Sequence, residues 1–164
     1  MDGRRHGGYS PFRRGFLLAE ALALLLLFSL ASAMAAPALW EWQEEQELEM
    51  AAETLASAVR EVEIMAKNDT TTLGNAGEQY LFHCIPQADG TVAYRTEKGA
   101  RLIRPRGTLP AGITCSGNLD LVFMKGRFAG AGKHYSIYLM TRDRKFMRQV
   151  VVSMYTGRVR VTKG

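Results

Sequence analysis

Residues 16–39 form an apolar run, "FLLAEALALLLLFSLASAMAAPAL", with a single charged residue, Glu20. As an α-helix the run would be about 36 Å long, enough to cross the ~30 Å hydrocarbon core of a bilayer. The sequence therefore predicts a membrane-spanning helix. A carboxylate inside hydrocarbon is costly and normally has a specific partner or task, so Glu20 needs an explanation.

The charges on either side of the run predict its orientation in the membrane. Four arginines precede it within residues 1–15, and acidic residues follow it in "EWQEEQELEM", residues 41–50. The positive-inside rule then places the N-terminus in the cytoplasm and the C-terminal part of the chain outside it. Trp40 and Trp42 lie at the outer end, where indole side chains favour the headgroup level.

The helical pattern continues beyond the apolar run into residues 40–67. Apolar residues recur there at steps of three and four, as on one face of an amphipathic helix: Leu48, Ala52, Leu55, Val59, Val62 and Ala66. No glycine interrupts residues 16–67, and Pro37 is the sole proline. We expect one long helix, membrane-spanning over 16–39 and amphipathic over 40–67. The loop-forming sequence "KNDTTTLGNAG" ends it.

The apolar period changes to two in the remainder of the chain, residues 68–164. Six short runs rich in β-branched and aromatic residues are separated by Gly, Pro, Asn and Asp: "YLFHCI", "TVAYRT", "LDLVFMK", "HYSIYLMT", "RQVVVSM" and "RVRVT". These runs predict a mostly antiparallel β domain packed against the amphipathic half of the helix. The expected fold class is α+β.

The residues around the start of the apolar run form a recognisable motif. A short basic segment ends in Gly15, Phe16 follows, Glu20 is the fifth residue counted from Phe16, and Pro37 is the twenty-second. This arrangement resembles the class III signal of type IV pilins and pseudopilins. The resemblance implies that residues 1–15 are a leader, that a prepilin peptidase cleaves between Gly15 and Phe16, and that the same enzyme methylates the new amino group of Phe16.

A physical argument gives Glu20 a role in assembly. After cleavage, the amino group of Phe16 on a neighbouring subunit is a compact cation at the same depth in the membrane. Pairing Glu20 with it would neutralise both charges and fix the axial stagger of the subunits, since a buried pair specifies register better than it adds stability. Pro37 removes one helical hydrogen bond and can kink or locally melt the helix, which would ease packing into a filament.

An export signal is the alternative interpretation. "ALALLLLFSLASAM" is similar to a secretory signal with Ala31-Ser32-Ala33 as the cleavage site, and "RRGFL" is similar to a twin-arginine signal. The chain would then be an exported or membrane-anchored β domain with an unknown ligand. Glu20 interrupts the apolar core that such signals need, and the helix pattern continues past Ala33, so the pilin interpretation is favoured.

The β region carries a second, less specific resemblance. The elements "LPAGITCSG", "LDLVFMKGRF" and the closing "GRV" are similar to the β domain of H-type minor pseudopilins of type II secretion and of FimT-like minor pilins. The resemblance implies a filament subunit in the cytoplasmic (inner) membrane. Its implied partners are other pilin or pseudopilin subunits, the prepilin peptidase, the inner-membrane assembly platform and membrane lipid. It leaves open whether the machine serves secretion, a pilus or competence.

Nucleic acid is a further candidate partner, because residues 121–164 hold ten Lys or Arg against one acid, Asp143. The sequence "GRVR", residues 157–160, matches the GRxR element of DNA-binding FimT-like pilins. On a strand Arg158 and Arg160 would share a face about 6.6 Å apart, close to the phosphate spacing of an extended strand. Nearby basic residues could add phosphate contacts: Arg142, Arg144, Lys145 and Arg148. Alternatively, these arginines are merely solvated.

The two cysteines, Cys84 and Cys115, fit neither a zinc pattern nor a CxxC redox motif. Outside the cytoplasm they could form one disulfide, and two buried thiols remain the alternative. His6, His83 and His134 have no metal-ligand spacing, and the sequence holds no phosphate loop or nucleophile motif. We therefore expect no enzymatic activity, no metal and no cofactor.

Overall fold

The computed structural model describes residues 12–69, 79–124, 127–128, 135–153 and 156–164, with residues 12–16, 105, 127 and 128 described by their backbone alone. The chain divides into two compact units, Met1–Trp42 and Gln43–Gly164. One α-helix and nine β-strands make up the described residues. The expected α+β class is confirmed.

The helix α1 runs from Phe12 to Asn68. It begins upstream of Gly15, so the last residues of the predicted leader are helical, as Arg13 and Arg14 are good helix formers. The helix continues on both sides of Pro37. From Leu17 onward the helix is long and apolar enough to be one candidate membrane span.

The β domain contains two antiparallel sheets. The first has five strands in the order β3-β2-β1-β5-β6, and the second has four in the order β4-β7-β8-β9. Their bounds are β1 Tyr80–Pro86, β2 Val92–Lys98, β3 Arg101–Thr108, β4 Ile113–Cys115, β5 Leu119–Met124, β6 Arg127–Phe128, β7 Tyr135–Thr141, β8 Met147–Val152 and β9 Val159–Lys163.

The amphipathic half of α1 supplies one wall of the core. All six apolar residues predicted for its buried face, from Leu48 to Ala66, are buried. The inner faces of both sheets supply the rest, including Phe82 and Phe123 from the first sheet and Ile137 and Val150 from the second. Burying side chains of this size contributes about 1.5–3 kcal/mol each, so this shared core holds residues 43–164 together as one unit.

Six of the nine strands coincide with the six predicted runs, and three do not. The strand β4 has three residues and β6 has two, too few to show a period of two. The strand β3, "RLIRPRGT", contains Pro105 and three arginines, a composition that argues against a strand. It is tolerated because β3 lies at the edge of its sheet, where one side of the strand needs no hydrogen-bond partner.

Candidate functional site

The apolar half of α1 exposes its side chains on every side. Leu26 is 67% exposed and Phe28 is 73% exposed, and Glu20 is an exposed position on the same surface. A helix that is apolar all round requires lipid or other helices to cover it. The predicted cleavage site lies between Gly15 and Phe16, for which the structure describes the backbone alone, and residues 1–11 lie outside the described residues.

The "GRVR" element lies at the start of β9. Arg158 and Arg160 are exposed, and Val159 between them is buried in the core. Two backbone hydrogen bonds position the element: the Gly157 N–H donates to the Ser153 carbonyl at 2.8 Å, and the Ser153 N–H donates to the Arg158 carbonyl at 2.9 Å. The two arginines therefore face solvent from one edge of the four-stranded sheet.

Gly157 is required by the backbone of this turn. Its φ is +70°, a region that side chains rarely adopt, and a Cβ at this position would lie 3.0 Å from Oε1 of Glu63 on α1. The glycine of "GRVR" thus lets the β8–β9 connection pass close against the helix.

A second basic group lies in the β7–β8 turn, which holds Arg142, Arg144 and Lys145. Asp143 organises this turn: its Oδ1 accepts from the Thr141 hydroxyl at 2.6 Å and from the Lys145 N–H at 3.1 Å. These hydrogen bonds, that from Thr141 first, lower the pKa of Asp143 from its ordinary value. Arg144 has a φ of 61°, typical of a tight turn.

The strand register separates these two basic groups. Arg160 pairs with Val151, whereas the β7–β8 turn adjoins Met147, at the other end of β8. Four residues along a strand span about 13 Å, so the groups do not form one cluster. Lys163 pairs with Arg148 and lies near the turn, a position that sequence reasoning did not single out.

Arg148 does not belong to this exposed basic surface, contrary to the prediction. It is 5% exposed, because it shares the inner face of β8 with Val150 and Val152. Its guanidinium donates from Nε to Glu49 and from Nη2 to Oε1 of Glu45 at 2.7 Å.

These ion pairs join the second sheet to the helix. Glu49 first, with Glu45, raises the pKa of Arg148 against the opposing effect of burial. In turn Arg148 first, with Lys163, lowers the pKa of Glu45. In the sequence, the signal that Arg148 faces the core is its spacing of two and four residues from Val150 and Val152.

The outer face of the first sheet holds a separate charged group. The Nδ1 atom of His83 lies 2.6 Å from Oδ1 of Asp120, and its Nε2 lies 3.9 Å from Oε2 of Glu97. Arg95 Nε approaches the other oxygen of Glu97 at 2.9 Å. Within the described part of the chain, no three His, Cys, Asp or Glu side chains are arranged to hold a metal ion.

Next to this group, a cleft of about 350 Å³ separates α1 from β2 and β3. Arg95, Arg104 and Arg106 line it, and Arg104 is paired with Glu61 of the helix. The ring of Tyr94 covers Gly107, where any Cβ would lie only 2.2 Å from the ring. Sequence reasoning missed this cleft because it missed β3.

Both cysteines are reduced in the structure. Cys84 lies in β1 with its side chain in the core, and Cys115 ends β4 and is half-buried. Cys115 packs against the core cluster that contains Cys84, and the strands β1 and β4 that carry them are in contact. The adjacent His83 points to the opposite face of β1, as expected for strand neighbours.

Comparisons of the chain with protein-family models, with curated proteins and with solved structures found no match. The structure itself defines a class: a long helix with an exposed apolar N-terminal half, whose second half packs on an antiparallel β domain. This architecture is compatible with a membrane-anchored, pilin-like protein.

Proposed function

We propose that the chain is a minor pilin or pseudopilin subunit of a type II secretion, type IV pilus or competence filament. It is made as a precursor, cleaved between Gly15 and Phe16 by a prepilin peptidase, methylated at Phe16 and assembled through α1. The observation that carries the proposal is a fully exposed apolar helix surface that contains one acid, Glu20, and continues into a helix packed on a β domain.

The exposed apolar surface implies two successive environments. Each leucine withdrawn from water contributes about 1.5–3 kcal/mol, so the segment from Leu17 to Leu39 is stable only in lipid or against other apolar helices. Lipid covers it before assembly, and the helices of neighbouring subunits cover it in a filament. In both settings Glu20 needs a cation, and the Phe16 amine of the next subunit supplies one.

The secretory alternative would cut the chain after Ala33. That cut would fall within α1 and would remove the apolar surface together with Glu20. The pilin proposal instead uses the whole helix from Phe16 to Asn68, half for assembly and half for the core of the β domain.

Mass spectrometry of the mature N-terminus tests the proposal. The full chain is expressed with and without a prepilin peptidase, and we expect an N-methylated Phe16 start only when the peptidase is present. Gly15→Val should block cleavage, whereas the matched leader variant Gly8→Val should be processed normally. A mature chain that starts at Met34 would refute the pilin assignment and support a secretory signal.

DNA binding is a second candidate function on the same scaffold. The observation that favours it is the pair of exposed arginines, Arg158 and Arg160, on either side of buried Val159. Phosphate contacts made by such residues release counterions, so the affinity should fall steeply as salt increases. The machine would then be a DNA-uptake filament, and neighbouring genes for DNA uptake rather than for a secretion channel would agree with it.

An electrophoretic mobility shift with the full chain in detergent tests DNA binding. At low salt we expect a shift that Arg158→Ala plus Arg160→Ala abolishes. The matched pair Arg142→Ala plus Arg144→Ala removes the same charge from the far end of the sheet and should weaken binding less. Equal effects of the two double variants would indicate a diffuse charge effect, and no shift at low salt would exclude DNA binding.

A further inference from the structure

The two cysteines lie in different sheets of the β domain. Cys84 lies in β1, in the middle of the five-stranded sheet, and Cys115 ends β4, at an edge of the four-stranded sheet. Cys84 is fully buried in the core between the two sheets, Cys115 packs against that core, and β1 and β4 are in contact. A bond between the sulfurs would therefore connect the sheets directly.

The two thiols differ in access and in reactivity. Cys84 is 0% exposed, whereas Cys115 is half-buried, and its Sγ lies 3.3 Å from the Gly117 carbonyl oxygen near the surface. The neighbouring Cys84 lowers the pKa of Cys115 to about 7, and Cys115 together with burial raises the pKa of Cys84. Since the thiolate is the nucleophile in disulfide exchange, Cys115 can react with an external disulfide and Cys84 cannot.

We propose that Cys84 and Cys115 are an oxidation site, converted to a disulfide that joins the two sheets, with Cys115 as the thiol through which oxidation begins. The oxidant is a disulfide of the oxidised-dithiol class, of the kind that compartments outside the cytoplasm provide. The chemistry rests on two cysteines in one core, so it does not depend on the assignment as a filament subunit.

The oxidation proceeds in two exchange steps. The Cys115 thiolate attacks one sulfur of the oxidant, forming a mixed disulfide and releasing one oxidant thiolate. Cys84 then loses its proton to solvent, attacks the Cys115 sulfur and displaces the second oxidant thiolate. The cysteine pair loses two electrons and two protons, and the oxidant disulfide gains them to become two thiols.

Mass spectrometry of the reduced full chain in detergent, treated with oxidised glutathione, tests the proposal. The native chain should lose two hydrogen atoms in mass and gain no glutathione. Cys84→Ser should instead accumulate a glutathione adduct on Cys115, because the second step is blocked. Cys115→Ser should remain unmodified while it is folded and should become modified when urea is added.

Alkylation of the reduced wild-type chain keeps the test independent of how well the variants fold. Iodoacetamide should modify Cys115 at least about tenfold faster than Cys84. The Cys115 rate at pH 6 should be about one tenth of its plateau above pH 8, as the pKa of about 7 requires. Equal alkylation rates would refute Cys115 as the entry thiol. Two glutathione adducts, or dimers linked between chains, would refute the cross-sheet disulfide.

Discussion

Arg148 and Glu49 join the four-stranded sheet to the helix. Nε of Arg148 donates to the Glu49 carboxylate, and the other end of the same guanidinium reaches Glu45 one helical turn away. The arginine side chain is almost fully buried, while both glutamates remain partly exposed. The contact is therefore asymmetric. Replacing the two glutamates would leave a buried cation without a counter-ion, whereas replacing the arginine would leave two carboxylates that water can reach.

This asymmetry predicts unequal costs of substitution. Arg148→Met should lower the free energy of unfolding by about 1–2 kcal/mol, and Glu45→Gln plus Glu49→Gln should lower it by about 3 kcal/mol or more. Urea unfolding of the full chain in detergent, followed by circular dichroism, measures both. Glu53→Gln is the control, since its pair with Arg60 is exposed and should contribute at most about 1 kcal/mol. A larger loss for Arg148→Met than for the double variant would contradict the burial argument.

The same contact predicts a loss of stability in acid. Arg148 and Lys163 lower the pKa of Glu45 below its ordinary value of 4.5, so the folded state binds this proton more weakly than the unfolded state does. The contribution is present above pH 4.5 and is lost as pH falls through the lowered pKa. The midpoint of urea unfolding should decline less between pH 7 and pH 3 in Glu45→Gln than in the unmodified chain. Equal declines in the two chains would exclude Glu45 as a contributor to the loss of stability in acid.

Gly157 offers a test of the turn that positions the "GRVR" arginines. Gly157→Ala should lower the free energy of unfolding by about 1–2 kcal/mol, because the residue has a positive φ and the new Cβ would press on Glu63. Gly117→Ala is the matched control, with nothing within 4 Å of its Cβ position, and should change stability little. Equal urea midpoints for the two variants would contradict the requirement for glycine.

For Glu20, the proposed function predicts a separation between processing and assembly. Glu20→Gln should leave cleavage after Gly15 intact but reduce filament incorporation at least about tenfold, because the Phe16 amine of the neighbouring subunit loses its counter-ion. Cross-linking of assembled filaments measures incorporation. Glu47→Gln removes an acid from the exposed surface of the amphipathic half and should incorporate normally. Normal incorporation of Glu20→Gln would refute the pairing.

Oxidation of the cysteine pair should stabilise the β domain. In the chain-entropy model, closing the loop between Cys84 and Cys115 contributes roughly 3–4 kcal/mol. Urea unfolding of the oxidised chain should therefore show a higher midpoint than that of the chain reduced with dithiothreitol. The Cys84→Ser variant, in which reductant has nothing to cleave, should show no such difference. A reduced chain as stable as the oxidised one would contradict the prediction.

The sequence predicted those elements whose signal is local. The long helix and six strands follow from apolar periods that need no knowledge of the neighbours. The burial of Arg148 does not follow from such a period, because the buried charge depends on two glutamates about 100 residues away in the chain. The separation of Arg142 from Arg160 likewise depends on strand register, which residue spacing does not reveal.

The cysteine pair shows the same limit. Two cysteines in separate strand-like runs are compatible with contact or with separation, and only the packing of the two sheets on one core brings Cys84 and Cys115 into the same region. Strand β3 was missed for a different reason. Its arginines and proline are tolerated at the exposed edge of a sheet, and composition alone does not reveal that a segment lies at an edge.

This edge strand has a consequence for the filament proposed above, in which copies of the chain would be crowded together. Arg101, Arg104 and Arg106 give β3 repeated positive charge, and Pro105 lacks the N–H that a further strand would need. Two such edge strands repel each other and cannot complete a hydrogen-bonded ladder. The β domains therefore resist joining into a continuous amyloid-like sheet. In the proposed filament, this leaves the helix as the route by which subunits would associate.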